Sequence, residues 1–312
     1  MRLFFMSGNK GNSISLFGLN FKHPVGLAAG FDKNAEAFDM LGAMGFSFVE
    51  IGAVTPRPQK GNPKPRLFRL PEDKALINRM GFNNKGVAYA VERLKKRNPN
   101  LIVGANIGKN TDTPNEKAND DYFRLFHALY PFVDYFTVNV SCPNVSSLAE
   151  LQDKESLLEL LEGLQKINKE KGRRKPLLLK ISPDLNWKQI DETLEVIEQT
   201  GIDGIVAVNT TALRPALTSS PAMVKSIGKG GLSGKPLKDR STEIIRYVHN
   251  KTNGNLPVIG VGGIMNARDA AEKLEAGASL VQVFTGLIYE GPGLVNAINR
   301  EINKKTTGNR TN

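Results

Sequence analysis

With 312 residues, 40% of them hydrophobic and 7% aromatic, the chain has the composition of a globular protein and enough length for one large domain or two smaller ones. A single cysteine excludes an intrachain disulfide, and three scattered histidines argue against a zinc site or any other metal site. The sequence contains no run of 18 apolar residues that could span a membrane. The net charge of +11 comes from basic runs that we interpret as solvated surfaces, because no aromatic platform or helix-turn-helix pattern accompanies them, and we expect no nucleic-acid partner.

Short apolar runs alternate along the chain with amphipathic segments, and this alternation predicts strands followed by helices. The predicted strands are 24–30, 48–52, 101–106, 135–139, 177–181, 203–209, 257–263 and 279–285, and the predicted helices are 34–44, 86–97, 117–130, 153–171, 187–199, 239–251, 266–276 and 291–303. Eight such units predict an α/β fold, a single-domain (β/α)8 TIM barrel. An open doubly wound sheet is the alternative, but the AAGFDK after the first strand lacks its G-x-G-x-x-G fingerprint.

Two segments are too long to be simple connections. Residues 53–86, rich in Pro, Gly and Asn, follow the second strand, and roughly twenty residues separate the sixth strand from GGLSGKPL (230–237). Long segments in a compact domain usually cover or form a functional site. We therefore predict that 53–86 forms short hairpins over a site.

The carboxyl ends of the predicted strands carry polar residues and glycines, at the edge where barrels place their active sites. Asparagines and two lysines gather there, without a pair of carboxylates, a histidine or a set of metal ligands, which disfavours glycosidase, triad-hydrolase and metallohydrolase chemistry. The Gly262 and Gly263 pair stands at the carboxyl end of the seventh strand, where barrels bind phosphate.

The loop 139–144, at the end of the fourth strand, contains the only cysteine of the chain, Cys142. A thiol between Asn139 and Asn144 fits a reactive group beside a polar ligand. A small buried hydrophobe flanked by turn-forming asparagines fits the same residues. The pattern of this loop leaves both interpretations open.

Eight motifs, in order along the chain, closely resemble dihydroorotate dehydrogenase, the flavin enzyme of pyrimidine synthesis. They are GLAAGFDKN (26–34), EIGAVTPRPQKGNPKPRLFRL (50–70), INRMGFNNKG (77–86), NIGKN (106–110), NVSCPN (139–144), NTT (209–211), GGLSGKPL (230–237) and GVGGI (260–264). The resemblance extends from about Phe17 to the last helix, and EIGAVTPRPQ, RLFRL and INRMGFNN are similar to the class 2, quinone-linked branch. It implies that 17–312 form an FMN-binding barrel that oxidises (S)-dihydroorotate to orotate and passes the electrons to a quinone.

The resemblance also implies two groups of binding residues. For FMN they are Ala29, Gly30, Ala53, Asn106, Asn139, Lys180, Val208, Gly234, Gly263, Phe284 and Thr285, of which Gly263, Phe284 and Thr285 would hold the phosphate. For dihydroorotate and orotate they are Lys33, Asn78, Arg79, Met80, Gly81, Phe82, Asn139, Asn144, Asn209 and Thr210. Ala53 and Val208 stand where relatives often have a hydroxyl residue, so contacts there would come from the backbone or be absent. Lys180 would lie at the N1–C2=O edge of the flavin and Lys33 at the substrate carboxylate.

Cys142 matches the position of the family's catalytic base, which takes the C5 proton while the C6 hydrogen leaves as hydride to flavin N5. Class 2 relatives usually have serine there and class 1 relatives have cysteine, so the chain joins class 2 motifs to a class 1 type of base. This combination leaves open a class 1 enzyme that uses fumarate or NAD. Two further alternatives are another FMN barrel, such as a dihydropyrimidine or dihydrouridine reductase, and a non-catalytic barrel that only binds a ligand.

Class 2 relatives carry about forty residues ahead of the barrel, an amphipathic helical pair that lies on the membrane and forms the quinone tunnel. We expect 1–16 to be a short flexible remnant of that element and the chain to be a truncated form. With the helical pair present, the resemblance implies peripheral association with the cytoplasmic side of the cell membrane, and without it a soluble barrel. We expect a monomer.

Overall fold

A computed structural model describes residues 13–140, 153–215 and 217–308 of the chain. Its strands are β1 (Ile14–Leu16), β2 (Leu19–Phe21), β3 (Val25–Leu27), β4 (Phe48–Val54), β5 (Leu67–Leu70), β6 (Ala75–Asn78), β7 (Ile102–Ile107), β8 (Tyr135–Asn139), β9 (Leu177–Ile181), β10 (Gly204–Ala207), β11 (Gly231–Gly234), β12 (Val258–Val261) and β13 (Leu280–Val283). Its α-helices are α1 (Phe38–Ala43), α2 (Gly86–Leu94), α3 (Ala118–Leu129), α4 (Lys154–Glu170), α5 (Trp187–Thr200), α6 (Pro221–Ile227), α7 (Lys238–Lys251), α8 (Ala267–Glu275), α9 (Thr285–Glu290) and α10 (Gly293–Gly308).

Eight of these strands close into a parallel barrel in the order β3, β4, β7, β8, β9, β10, β12 and β13. They coincide with the eight predicted strands, and the predicted (β/α)8 TIM barrel is confirmed. Helices cover the outside of the barrel and side chains fill its inside, so the strands are buried on both faces. This is why their sequences read as continuous apolar runs instead of alternating ones.

The amino-terminal half of the barrel interior is filled by large side chains packed over glycines. A Cβ atom on Gly26 would lie 2.3 Å from the Phe48 ring, and one on Gly104 would lie 2.1 Å from the Tyr135 ring. The hairpin of β1 and β2 packs its apolar side chains, including Phe17, against this cluster. Residues 14–16, within the predicted 1–16 remnant, form a strand of this hairpin, while 1–12 lie outside the described residues.

An antiparallel sheet of β5, β6 and β11 lies outside the barrel order, and its strands come from the two long segments noted in the sequence. The predicted hairpin within 53–86 is confirmed, and β11 adds to its edge. Asp73, in the turn between β5 and β6, accepts hydrogen bonds from the backbone N–H groups of Thr218 (2.6 Å) and Ser219 (3.1 Å). These bonds join the two segments, which are distant in sequence, into one cover.

Several boundaries differ from the predicted ones by a few residues, and local hydrogen bonds and turns explain two of them. The first helix begins at Phe38 instead of residue 34, since the Asp32 carboxylate accepts the N–H groups of Glu36 (2.8 Å) and Ala37 (2.9 Å) and holds a turn there. The last barrel strand ends at Val283, and the short helix α9 begins two residues later.

Replacing Phe48 with alanine tests the packing of the barrel interior. The Phe48→Ala variant loses a fully buried ring and leaves a space above Gly26, so we expect the free energy of unfolding to fall by about 3–5 kcal/mol. The Phe31→Ala variant removes the same ring from a position that is 40% exposed, and it should change stability much less. Urea unfolding followed by circular dichroism measures both, and equal losses would contradict this account of the interior.

Candidate active site

A cavity opens at the carboxyl ends of the barrel strands, between them and the sheet of β5, β6 and β11. Its empty space, the open mouth included, is about 1220 Å³. Leu76 and Asn78 of β6 and Ser233 and Gly234 of β11 line it from the cover. A covered cavity with apolar walls and a few polar groups is the usual form of a site for small ligands.

The loops after β12 and β13 form a glycine-rich wall of this cavity. Gly262 and Gly263 have φ angles of +114° and +73°, which glycine adopts far more readily than other residues. A Cβ atom on Gly263 would lie 2.3 Å from the Lys238 Cα at the start of α7, so no side chain fits there. Thr285 Oγ1 shares a 2.8 Å hydrogen bond with Ser233 Oγ of the cover. Backbone amides in such a wall can approach the oxygens of a phosphate.

Three asparagines in the cavity wall form a hydrogen-bond chain that runs in one direction. The Nδ2 of Asn106 donates to Glu50 Oε1 (2.9 Å), and the Nδ2 of Asn139 donates to Asn106 Oδ1 (2.9 Å). The Nδ2 of Asn209 donates to Asn139 Oδ1 (3.4 Å), and the Thr210 backbone N–H donates to Asn209 Oδ1 (2.8 Å). A carboxylate accepts at one end and a backbone N–H donates at the other, so the orientation of each amide is determined.

Glu50 is fully buried inside the barrel, next to the cavity. Its carboxylate also accepts hydrogen bonds from Tyr135 Oη (3.2 Å), Thr137 Oγ1 (3.0 Å) and Gln282 Nε2 (2.9 Å). Burial, and then the neighbouring Glu50, raises the pKa of Tyr135 well above its usual value, which keeps the phenol protonated as a donor. Glu50 is not among the residues predicted from the sequence, although a charged residue inside the apolar run FVEIG (48–52) is a signal for a buried polar role.

Two lysines line the same cavity. Lys180, in β9, is only 5% exposed and is paired in register with Asn139 of β8, while Lys33 follows β3 and is more accessible. The two lysine side chains give this wall of the cavity positive charge, which attracts electron-rich groups. The cavity therefore favours a ligand with anionic or carbonyl oxygen atoms.

The barrel and its cover bring nearly all the predicted site residues together. All the predicted cofactor residues line the cavity: Ala29, Gly30, Ala53, Asn106, Asn139, Lys180, Val208, Gly234, Gly263, Phe284 and Thr285. So do these predicted substrate residues: Lys33, Asn78, Met80, Gly81, Phe82, Asn139, Asn209 and Thr210. Cys142 and Asn144 lie outside the described residues.

Arg79 is the predicted substrate residue whose side chain takes another direction. It is not among the residues that line the cavity. Its guanidinium donates to the carbonyl oxygens of Ile227 and Lys229 and lies 4.6 Å from the centre of the Phe68 ring. This side chain therefore supports the loop before β11.

The mouth of the cavity has an apolar rim whose residues were not predicted from the sequence. Leu67 and Ile288 line it beside Phe284, and Leu67 is 51% exposed. The ring of Phe31 contacts that of Phe284 edge to face, with 5.7 Å between the ring centres. These side chains come from distant parts of the sequence, so no single motif could have indicated the rim.

A sequence model described as "Dihydroorotate dehydrogenase" matches residues 13–306. The chain belongs to the dihydroorotate dehydrogenase family. The dihydroorotate dehydrogenase (quinone) of Christiangramia forsetii is 57% identical over 290 residues, which cover 93% of this chain and 84% of that protein. A protein of the same description from a Synechococcus species is 51% identical over 296 residues, covering 91% of this chain and 77% of that one. The similarity to the quinone-linked branch is thereby confirmed.

Solved structures of the family have the same fold. The DHODH of Eimeria tenella in complex with ferulenol superposes with a TM-score of 0.87 at 39% identity, covering 93% of this chain and 83% of that one. The ligand-free type of the same protein gives a TM-score of 0.89 at 38% identity, covering 96% of this chain and 89% of that one.

Dihydroorotate dehydrogenases are generally flavin enzymes, and the cavity of this family member fits a flavin. The glycine wall suits a phosphate, and the amide chain beside Lys180 suits the polar edge of a heterocyclic ring. The buried Oε1 of Gln282, at the cavity wall, has no hydrogen-bond partner in the described ranges and is available to a ligand N–H group or a water. No group of three or more His, Cys, Asp or Glu side chains in the described ranges could hold a metal ion.

Two glycine substitutions test whether the glycine wall holds the flavin. A methyl group in the Gly263→Ala variant would collide with the backbone of Lys238, so we expect the protein to be purified with little flavin. Gly228 has nearly the same φ, +74°, but nothing lies within 4 Å of its added Cβ. The Gly228→Ala variant therefore bears the backbone strain alone and should keep its flavin. The ratio of flavin absorbance to protein absorbance decides, and equal flavin content in the two variants would argue against the glycine wall.

Proposed function

We propose that this chain oxidises (S)-dihydroorotate to orotate in pyrimidine biosynthesis, with FMN as cofactor and a quinone as electron acceptor. The observation that carries the proposal is the meeting of Lys33, Lys180 and the asparagine chain in one covered cavity, in a chain 57% identical to a dihydroorotate dehydrogenase (quinone). Neither a glycosidase nor a metallohydrolase would need this set of groups.

The asparagines and Lys33 are suited to recognise the substrate. Dihydroorotate has N–H and C=O groups around its ring and one carboxylate. Amide side chains can both donate and accept, so Asn139 and Asn209 complement such a ring when their orientation is fixed. Lys33 supplies a cation for the carboxylate. We assign Asn78, Met80, Gly81 and Phe82 to the same ligand because they match the substrate motif and line the same cavity as Lys33.

The glycine wall and Lys180 are suited to hold the cofactor. Gly263, Phe284 and Thr285 would bind its phosphate, and Lys180 would keep a fixed positive charge beside the ring, where it stabilises negative charge. FMN, when bound, supplies the acceptor for the hydride that leaves C6 of dihydroorotate. The sheet of β5, β6 and β11 keeps bulk water from the cavity and strengthens these electrostatic interactions.

Cys142 is our proposed base for the C5 proton of dihydroorotate. This assignment rests on its position in NVSCPN and on the chemistry of a thiol, whose usual pKa of about 8.5 makes its anion accessible near neutral pH. Asn144, from the same motif, completes the proposed substrate set.

The apolar rim supports a quinone as the acceptor, because a quinone ring and its tail need apolar contacts to reach the cofactor. Within the described residues, none of the helices is long and apolar enough to cross a membrane. We propose peripheral binding of a monomer to the cytoplasmic side of the cell membrane, aided by the net charge of +11. A class 1 enzyme using fumarate or NAD is the second candidate, and Cys142 favours it.

The experiment that tests this function is anaerobic addition of dihydroorotate to the purified yellow protein, followed by reoxidation. Bleaching of the flavin absorbance shows the first half-reaction, and no bleaching would refute the function. Reoxidation by a soluble quinone but not by fumarate or NAD supports the quinone branch, whereas the opposite preference supports the class 1 alternative.

Substitutions of Cys142 test the proposed base. The Cys142→Ala variant should retain flavin and bind orotate but reduce its flavin at least about 10²-fold more slowly, since a general base is lost. The Cys142→Ser variant should keep part of the activity with its pH profile displaced to higher pH, because a hydroxyl is a weaker acid than a thiol. Stopped-flow absorbance measures both rates, and a near-normal rate for the alanine variant would remove Cys142 from this role.

Substitutions of the two lysines separate their roles. The Lys33→Ala variant should mainly weaken the binding of dihydroorotate and orotate, because it removes the partner of the carboxylate. The Lys180→Ala variant should instead lower the reduction potential of the flavin, because it removes a cation that favours the reduced form. Orotate titrations and potentiometry distinguish the two effects, and the reverse pattern would mean that the roles are exchanged.

A further inference from the structure

Lys273, in α8, is fully buried although it lies outside the cavity. Its ammonium donates to Ser241 Oγ (3.0 Å), Thr242 Oγ1 (3.1 Å) and the carbonyl oxygen of Lys238 (3.3 Å), all in the first turns of α7. These acceptors are neutral, and no ion pair joins Lys273 to a carboxylate in the described part of the chain. The two helices are thus joined by a buried cation that lacks a directly paired anion.

The charged groups near Lys273 do not supply that anion by direct contact. Asp269 and Glu272, on α8, form ion pairs with the Lys238 ammonium at 3.1 and 2.8 Å. Asp239, on α7, acts on Lys273 only through space. Burial is the largest influence and lowers the pKa of Lys273 to about 7. Since a lysine in the unfolded chain has a pKa of about 10.4, this burial destabilises the folded protein at neutral pH.

Lys273 lies directly behind the glycine wall of the cavity. Ser241, which accepts a hydrogen bond from Lys273, donates one to the carbonyl oxygen of Val261 (2.6 Å), the last residue of β12. Gly262 and Gly263 follow at once, and Gly263 is in close contact with the backbone of Lys238, another acceptor of Lys273. One turn of α7 therefore separates the ammonium from the wall to which we assign the phosphate.

We propose that Lys273 is a positioning residue for the cofactor phosphate, for which its buried ammonium is the counter-charge behind the glycine wall. The inference rests on the proposed FMN site. A phosphate carries up to two negative charges, and their attraction to the ammonium acts across the protein interior, where solvent screens it little. Binding of the phosphate thus offsets the cost of burying Lys273.

The affinity for FMN should therefore depend on pH. The effect of Lys273 on this affinity is opposite in sign to the effect of the phosphate's own ionisation. A bound phosphate favours the charged form of Lys273, so above a pH of about 7 binding must be accompanied by proton uptake. The affinity for FMN therefore falls as the pH rises through this range. The phosphate's own second ionisation acts in the other direction, at a lower pH of about 6.

The test compares FMN with riboflavin, which has the same ring but no phosphate. The 312-residue chain is freed of flavin and titrated with each ligand, with flavin fluorescence as the signal, from about pH 6 to pH 9. For the Lys273→Met variant we expect FMN affinity to fall at least about tenfold at neutral pH, with riboflavin affinity unchanged. The decline of FMN affinity above pH 7 should disappear in this variant, and its flavin-free melting temperature should equal or exceed that of the unsubstituted chain.

Two further variants separate charge from structure. Lys273→Gln keeps a donor for the hydroxyl groups of α7 but not the charge, and it should show the same selective loss of FMN. Lys251→Met removes a charge from the far end of α7, where the ammonium pairs with Asp191 at 3.2 Å, and it should leave both affinities unchanged.

Other outcomes overturn the proposal in distinguishable ways. Equal weakening of FMN and riboflavin by Lys273→Met and Lys273→Gln, with a lowered melting temperature, would make Lys273 a structural residue only. Unchanged FMN affinity in both would remove it from the phosphate site. If the unsubstituted chain binds neither flavin, the proposed function fails, and this inference fails with it.

Discussion

The buried carboxylate of Glu50 is the interaction on which the polar part of the barrel depends. A carboxylate removed from water needs hydrogen-bond donors, and β7, β8 and β13 supply them to this residue of β4. These strands meet around Glu50 only when the barrel closes. The same carboxylate begins the asparagine chain, so closure of the barrel and orientation of the cavity amides are parts of one hydrogen-bond network.

This network divides the barrel interior into zones along its axis. The amino-terminal half is apolar, with Phe48 and Tyr135 packed over glycines and sealed by the hairpin of β1 and β2. The network around Glu50 follows, and the cavity opens beyond it. Because the filled amino-terminal half stabilises the fold, the loops at the carboxyl ends of the strands can differ in sequence and chemistry without loss of the fold. This is the general advantage of the architecture.

The cover over the cavity shows which strand pairings a local sequence pattern can predict and which it cannot. The length and composition of 53–86 predicted hairpins over a site, and β5 and β6 form an antiparallel hairpin within this segment. The pairing of β6 with β11, more than 150 residues away, has no local signal, and neither do the bonds from Asp73 to Thr218 and Ser219. Strand pairing of this range depends on the whole chain, because loop-closure costs and side-chain packing decide it together.

The sequence by itself determined the barrel, through eight buried strands that alternate with amphipathic helices, and it determined most of the cavity wall, because barrels collect the residues at the carboxyl ends of their strands. Its ordered motifs also determined the family. The tertiary structure alone decided the direction of each side chain. Arg79, inside a substrate motif, turns to the loop before β11, while Lys273, inside an ordinary helix, lies behind the glycine wall. The physical reason is that the burial of a charged side chain and the hydrogen-bond partners that it finds come from elements far away in the sequence, which only the folded chain brings together.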